Sequence, residues 1–209
     1  DQIRQNYNFT KPNYPNGYDG ALGTGTTKPT WNPAGYFEFD GSNDYINLGA
    51  ANQFKRSAIT ISFKIRVSGT AAQECILAEY TGGSLTAGEF RITREVGEVI
   101  SVGISTGSNF FFIKTSAAIL TTSFKTITIV VDTSLAGNDK IKIYDEGSLV
   151  SSVLAGSSGT IASGTDVLTR TQPLYIGRRN VSPQQYLNGD IENLKFYSSA
   201  LTASEIANL

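Results

Sequence analysis

Two pairs of carboxylates stand close enough along the chain to be weighed as a catalytic acid and base: Glu95 with Glu98, and Asp190 with Glu192. Two carboxyl groups flanking one bond are what glycoside hydrolysis requires. Single surface acids are far commoner than such pairs, so no catalytic residue is assigned and no enzyme activity is expected. The chain has no histidine. That removes Ser–His triads, Cys–His pairs and the commonest ligand for zinc and iron. Cys75 is the only cysteine, so no disulfide within the chain can form. In the run Cys75-Ile76-Leu77-Ala78 it reads as a small buried hydrophobe.

A different chemistry is carried by residues 178–188, RRNVSPQQYLN. Arg178, Arg179, Asn180, Gln184, Gln185, Tyr186 and Asn188 combine planar hydrogen-bonding groups with an aromatic ring. That combination suits sugars, which are held by stacking on rings and by fixed polar groups. Trp31 and Tyr18 are further stacking candidates. The plainer alternative makes Trp31 the anchor of a proline-rich arm and Arg178 and Arg179 a solvated rim. The expected ligand-binding set is Arg178, Arg179, Asn180, Tyr186, Asn188 and Trp31.

Asp40-Gly41-Ser42-Asn43-Asp44 sits between two short alternating runs. Its oxygens suit a hard cation such as calcium, which takes six to eight of them. Asp-Gly and Asn-Asp are equally turn chemistry, the side chains accepting from nearby backbone amides. The turn is the expectation; no cofactor or metal is assigned, with calcium as the disfavoured alternative.

The elements that must position these groups emerge from composition and period. The 209 residues carry a net charge of −1, with 17% charged side chains, 21 Gly, 10 Tyr and 11 Phe. No basic excess points to nucleic acid or an anionic membrane surface, so neither nucleic acid nor membrane insertion is expected. No run approaches the length of a membrane-spanning helix. The lack of methionine leads us to expect a chain processed or cut from a longer one. The chain is long enough for one large all-β domain with a real core.

Residues 1–35 are irregular, with Pro12, Pro15, Pro29 and Pro33, and at most a short strand near Tyr7–Phe9. They are expected to form an arm packed on a single domain over residues 36–209. From Tyr36 onward the period is two. AITISFKIRV (58–67) sets Ile59, Ile61, Phe63, Ile65 and Val67 on one face and Thr60, Ser62, Lys64 and Arg66 on the other. Similar strands are predicted at 89–95, 99–104, 126–132, 140–146, 148–154, 173–177 and 191–197, with turns such as Glu146-Gly147 between them. FFFIK (110–114) breaks the alternation: either both of its faces are covered, which is the expectation because open apolar patches are uncommon, or one ring is exposed for a ligand. Residues 155–170 read as a long small-residue loop. Thr202-Ala203-Ser204-Glu205 fits a capping box opening one helical turn, with Ile206 and Leu209 as its apolar edge. The fold class is therefore all-β: a two-sheet antiparallel sandwich with one short C-terminal helix.

YFEFDGSNDYINLG (36–49) followed by ITISFKIRV resembles the start of laminin-G-like, concanavalin A-type jelly rolls. SFKTITIVVDTSLAGNDKIKIYDEGSLVSS (123–152) and LYIGRRNVSPQQYLNGDIENLKFYSSALTASEIANL (174–209) are similar to its later segments, in the same order. The likeness runs from about residue 36 to 209. Phe124 stands where many members have Trp, and the cysteines of secreted animal members are missing. The resemblance implies a jelly-roll sandwich that binds through loops, with glycans or a surface protein as partners. Catalytic relatives carry Glu-x-Asp-x-x-Glu on one strand, and no segment here has that spacing. The calcium site of related proteins would draw on the loops GGSLTAG (82–88) and RRNVSPQQY (178–186), and Arg178 and Arg179 oppose a cation there. The resemblance thus leads us to expect a non-catalytic binding or adhesion module, extracellular or on a cell or virion surface. The alternative is a structural or decoration protein of a virion or extracellular assembly, and a homo-oligomer fits either reading.

Overall fold

The computed structural model describes residues 4–6, 21–22, 25–50, 55–70, 73–79, 90–106, 109–168, 173–179 and 185–209. Two eight-stranded antiparallel sheets face one another. Across the first sheet run β13 (Ser148–Leu149), β12 (Ile141–Asp145), β11 (Lys125–Asp132), β6 (Ala58–Val67), β18 (Asn188–Tyr197), β4 (Tyr36–Asp40) and β3 (Thr30–Asn32). β1 (Arg4–Asn6) pairs with the second half of β18. Across the second sheet run β14 (Ser152–Ser158), β10 (Asn109–Thr115), β9 (Val99–Thr106), β8 (Phe90–Glu95), β7 (Gln73–Glu79), β15 (Pro173–Ile176), β5 (Ile46–Ala50) and β2 (Ala21–Leu22). β16 (Arg178–Arg179) and β17 (Gln185–Tyr186) form a separate small hairpin.

The alternation in the sequence decides which side chains meet between the sheets. Ile59, Ile61, Phe63 and Ile65 of β6 are buried against Ile92 of β8, Ile100 and Val102 of β9 and Ile113 of β10. Each such side chain contributes about 1.5–3 kcal/mol by leaving water, so the core rests on this single periodic pattern. A second, smaller cluster forms outside the sandwich. Val130, Tyr144 and Tyr197 on the outer face of the first sheet are covered by Leu201 and Ile206. Ile206 belongs to α1 (Ala203–Ile206), whose Thr202–Glu205 capping box is fully formed. Leu209, expected on the same apolar edge, is instead exposed, because the helix ends at Ile206.

Residues 1–35 contain more strand than the sequence suggested. β1, β2 and β3 all fall there, while Tyr7–Phe9 lies outside the described residues. The stretch 155–170 is also strand at its start, since β14 runs on to Ser158 beside β10. Backbone pairing there outweighs the weak strand preference of Gly and Ser.

Candidate functional site: the outer face of the second sheet

The register of the second sheet lays one row of side chains straight across its outer face. Asn47 of β5 lies opposite Tyr175 of β15, Tyr175 opposite Ala78 of β7, and Ala78 opposite Arg91 of β8. Arg91 is opposite Gly103 of β9, and Gly103 opposite Phe112 of β10. Their chain neighbours Ile46, Ile176, Leu77, Ile92, Val102 and Ile113 are all in the core, so this row points away from it.

Two arginine–aromatic stacks stand on the row. The Arg178 guanidinium lies 4.5 Å from the Tyr45 ring centroid and 5.1 Å from that of Tyr175. The two rings meet edge to face at 5.7 Å. The Arg91 guanidinium lies 4.5 Å from the Phe112 ring, and Phe110 packs beside Phe112 at 5.4 Å. Tyr175 and Arg91 are separated only by β7, a gap of about 10 Å from strand spacing, with the small Ala78 beneath. A guanidinium laid on a ring is held in one orientation, with its N–H groups directed sideways in its plane.

This arrangement explains FFFIK. Phe112 covers Gly103 so closely that a Cβ there would sit 1.7 Å from its ring. Phe111 faces the core and Phe110 the outer face. Phe112 is buried, its cover being Arg91 and Phe110.

The β16–β17 hairpin forms the rim, against β7. Arg178 is opposite Tyr186 and Arg179 opposite Gln185. The chain enters through Gly177, at φ 77°, where a Cβ would stand 2.5 Å from the Phe39 ring. Gln185 donates to Gln73, whose amide in turn reaches both Glu95 oxygens at 2.7 Å, and Thr93 donates to Glu95 at 2.8 Å. The Gln185 Oε1 atom is buried with no hydrogen-bond partner among the described residues. The rim thus ends in an unused acceptor beside a fixed polar chain.

Of the residues predicted from sequence, Arg178, Arg179 and Tyr186 come together on this hairpin. Asn180, Gln184 and Tyr18 lie outside the described residues. Asn188 sits at the end of the sandwich, its amide donating to Glu74 at 3.2 Å. Trp31 is on the other sheet, half-buried and edge-on to Phe37 at 5.0 Å, packed against the core. Sequence reading did not single out Tyr45, Tyr175 or Arg91, and touched Phe112 only as one of the three rings of FFFIK. Their outward phase was legible, but not which strands are neighbours.

Of the four paired acids, Glu95 sits in the polar chain of the rim and the other three are engaged elsewhere. Glu98 holds Arg94 through both oxygens at 2.6 and 2.8 Å, and Asp190 and Glu192 pair with Arg66 and Lys64. Arg94 is fully buried. Burial disfavours its charge, but hydrogen bonds to Glu98 and then Glu74 outweigh this and raise its pKa. At the opening turn, Asp40 Oδ1 accepts from the amides of Ser42 at 2.8 Å and Asn43 at 3.2 Å, and Asp44 Oδ2 accepts from Asp40 at 3.0 Å. These oxygens serve the turn. Among the described residues no group of three or more His, Cys, Asp or Glu could hold a metal. Arg178 and Arg179, at the base of their loop, do not suit a cation, and loop 82–88 is outside the described residues.

Two facing antiparallel sheets in this strand order define a sandwich of the jelly-roll type. The chain belongs to the concanavalin A-like lectin/glucanases superfamily, whose laminin-G-type profile matches residues 40–207. No curated protein matches it. Among solved structures it is similar to the botulinum neurotoxin serotype G binding domain, with TM-score 0.64, 15% identity and 93% of this chain covered. The chain spans only 46% of that domain. The CBM40 module of a Ruminococcus gnavus sialidase, bound to α2,3-sialyllactose, gives TM-score 0.61 at 14% identity, covering 83% of this chain and 96% of that one. A heptameric SAP-like pentraxin from Limulus polyphemus gives 0.56 at 12%, covering 82% and 79%. At these identities the likeness concerns the fold.

Proposed function

We propose that this chain is a non-catalytic glycan-binding module working outside the cell or on a surface, with its ligand on the outer face of the second sheet. The observation that carries this is the pair of arginine–aromatic stacks flanking Ala78. Sugars are held by contact with aromatic rings and by fixed polar groups; Tyr45 and Tyr175 are half-buried beside Arg178, and the Arg178 and Arg91 guanidinium groups carry the donors. The similar CBM40 was solved with sialyllactose, an acidic sugar, and a toxin binding domain with a sialylated ligand. Arg91 and Arg178 on one face of a chain of net charge −1 favour an acidic sugar, because guanidinium groups match carboxylates in shape and charge.

A glycan array probed with the purified chain, with and without calcium, tests this. Saturable binding biased to acidic glycans and indifferent to calcium is expected. No binding to any glycan would overturn it.

A further inference from the structure

The β16–β17 hairpin that carries Arg178 is held at its base by backbone. Gly177 donates to the Ile76 carbonyl at 2.9 Å, and Leu187 to that of Gly177 at 3.0 Å. Beyond the base, the Gln185 amide donates to Gln73 Oε1, and Gln73 Nε2 donates to both Glu95 oxygens. A carboxylate can only accept. Glu95 therefore claims the Gln73 nitrogen and leaves Gln73 only its oxygen for the hairpin, so Gln185 must donate. Its own oxygen is thereby left buried with no partner among the described residues, an arrangement that costs free energy. The polarity of this tie is set by Glu95 and not by the hairpin.

Cys75 marks what the tie holds shut. It lies opposite Thr93, between the inward Ile92 and Arg94 of β8, and so faces the outer side of the sheet. It is nonetheless fully buried, and β16 and β17 pack on β7, the strand that carries it.

We propose that Glu95 and Gln73 are positioning residues for the binding face. They hold the hairpin down over Cys75 and so keep the Arg178 guanidinium on the Tyr45 and Tyr175 rings. The chain turns into the hairpin at Gly177, at φ 77°, a conformation that glycine adopts freely. A hairpin released by its side-chain tie pivots there and carries Arg178 off the rings. The inference deepens the glycan reading and rests on it, but the tie itself can be tested without a glycan.

Alkylation of Cys75 by iodoacetamide under native conditions reads how often the hairpin lifts. Gln73→Ala should raise the rate roughly five- to tenfold, the worth of one hydrogen bond, at an unchanged melting temperature. Gln185→Glu keeps the shape but sets two acceptors face to face, and should raise the rate similarly. Adding Glu95→Gln to Gln185→Glu should restore slow alkylation, because the tie then runs in reverse. The carboxylate at position 185 accepts from Gln73, and Gln73 accepts from the new amide at position 95. In NMR spectra the Arg178 Nε–H proton, shifted by the two rings, should move toward its free position in Gln73→Ala. The signal of that variant on the acidic glycans of an array should fall by a similar factor. An alkylation rate unchanged in Gln73→Ala and Gln185→Glu, or no recovery in the double variant, overturns the proposal. So does faster alkylation with the Arg178 proton or the glycan signal unmoved. If the unaltered chain binds no glycan, the function proposed above fails, while the alkylation rates and the Arg178 proton still decide the tie.

Discussion

Asp44 shows how one residue can be assigned a role by its partners. Burial pushes its carboxyl above the ordinary carboxylate range; the amide of Asp40 opposes the shift and the Asp40 charge adds to it. A raised native pKa means the folded chain takes up this proton before the unfolded chain does. As pH falls from neutrality toward 4, Asp44 alone therefore makes the fold more stable, the reverse of the usual acid. Asp44→Asn keeps an acceptor for the Asp40 amide and removes the titration. Urea melts at pH 7 and pH 4.5 should show the unaltered chain gaining on this variant at the lower pH; an unchanged difference would contradict it. That Asp40–Asp44 forms a turn was legible because Asp and Asn bond backbone two and three residues on. The depth of Asp44 was not, since Gly177, far along the chain, lies against its carbonyl through a pairing that the local sequence does not show.

At the scale of elements, β8 carries two arginines with opposite fates. Arg91 lies in the outward phase on Phe112. Arg94 lies in the inward phase with Phe90 and Ile92, and reaches the carbonyls of Ser68 at 3.0 Å and Gly69 at 2.6 Å after β6 of the other sheet. The buried guanidinium clamps the two sheets at one end. Arg94→Ala leaves Glu74 and Glu98 without their cation and should cost ~3–5 kcal/mol, read from chemical denaturation; a loss below ~1 kcal/mol would deny the clamp. Gly103→Ala forces Phe112 off β9 and should cost ~1–3 kcal/mol by overpacking. Lowered glycan affinity should accompany it, through the displaced Arg91. Strand phase was legible for most of these elements. The alternating period alone could not foresee a charge at an inward position, because a buried arginine looks like an error of pattern until its partners are known.

The two outer faces of the molecule are built differently. On the first sheet, α1 and Leu201 close over Val130, Tyr144 and Tyr197, and Arg66 between Tyr36 and Phe124 is met by Asp190. Ending the chain at Ser199 would uncover that cluster and should lower the melting temperature by several degrees without abolishing the sandwich, whose core is separate. A melt unaltered by truncation would show that the cap is dispensable. The two-sheet class was legible from period and turns. Of the candidate face, the sequence made the loop with Arg178 and Tyr186 stand out, whereas Tyr45, Tyr175, Arg91 and Phe112 meet only through pairing between strands far apart in sequence.

The central claim is that glycan is held on the outer face of the second sheet. Calorimetric titration of the tightest array ligand into Arg178→Ala, Tyr175→Ala and Trp31→Phe tests it most directly. The account predicts at least a tenfold loss, about 1.4 kcal/mol, for the first two variants and less than a twofold change for the third. Full affinity in Arg178→Ala and Tyr175→Ala, or a loss confined to Trp31→Phe, would contradict it and move the site off this face.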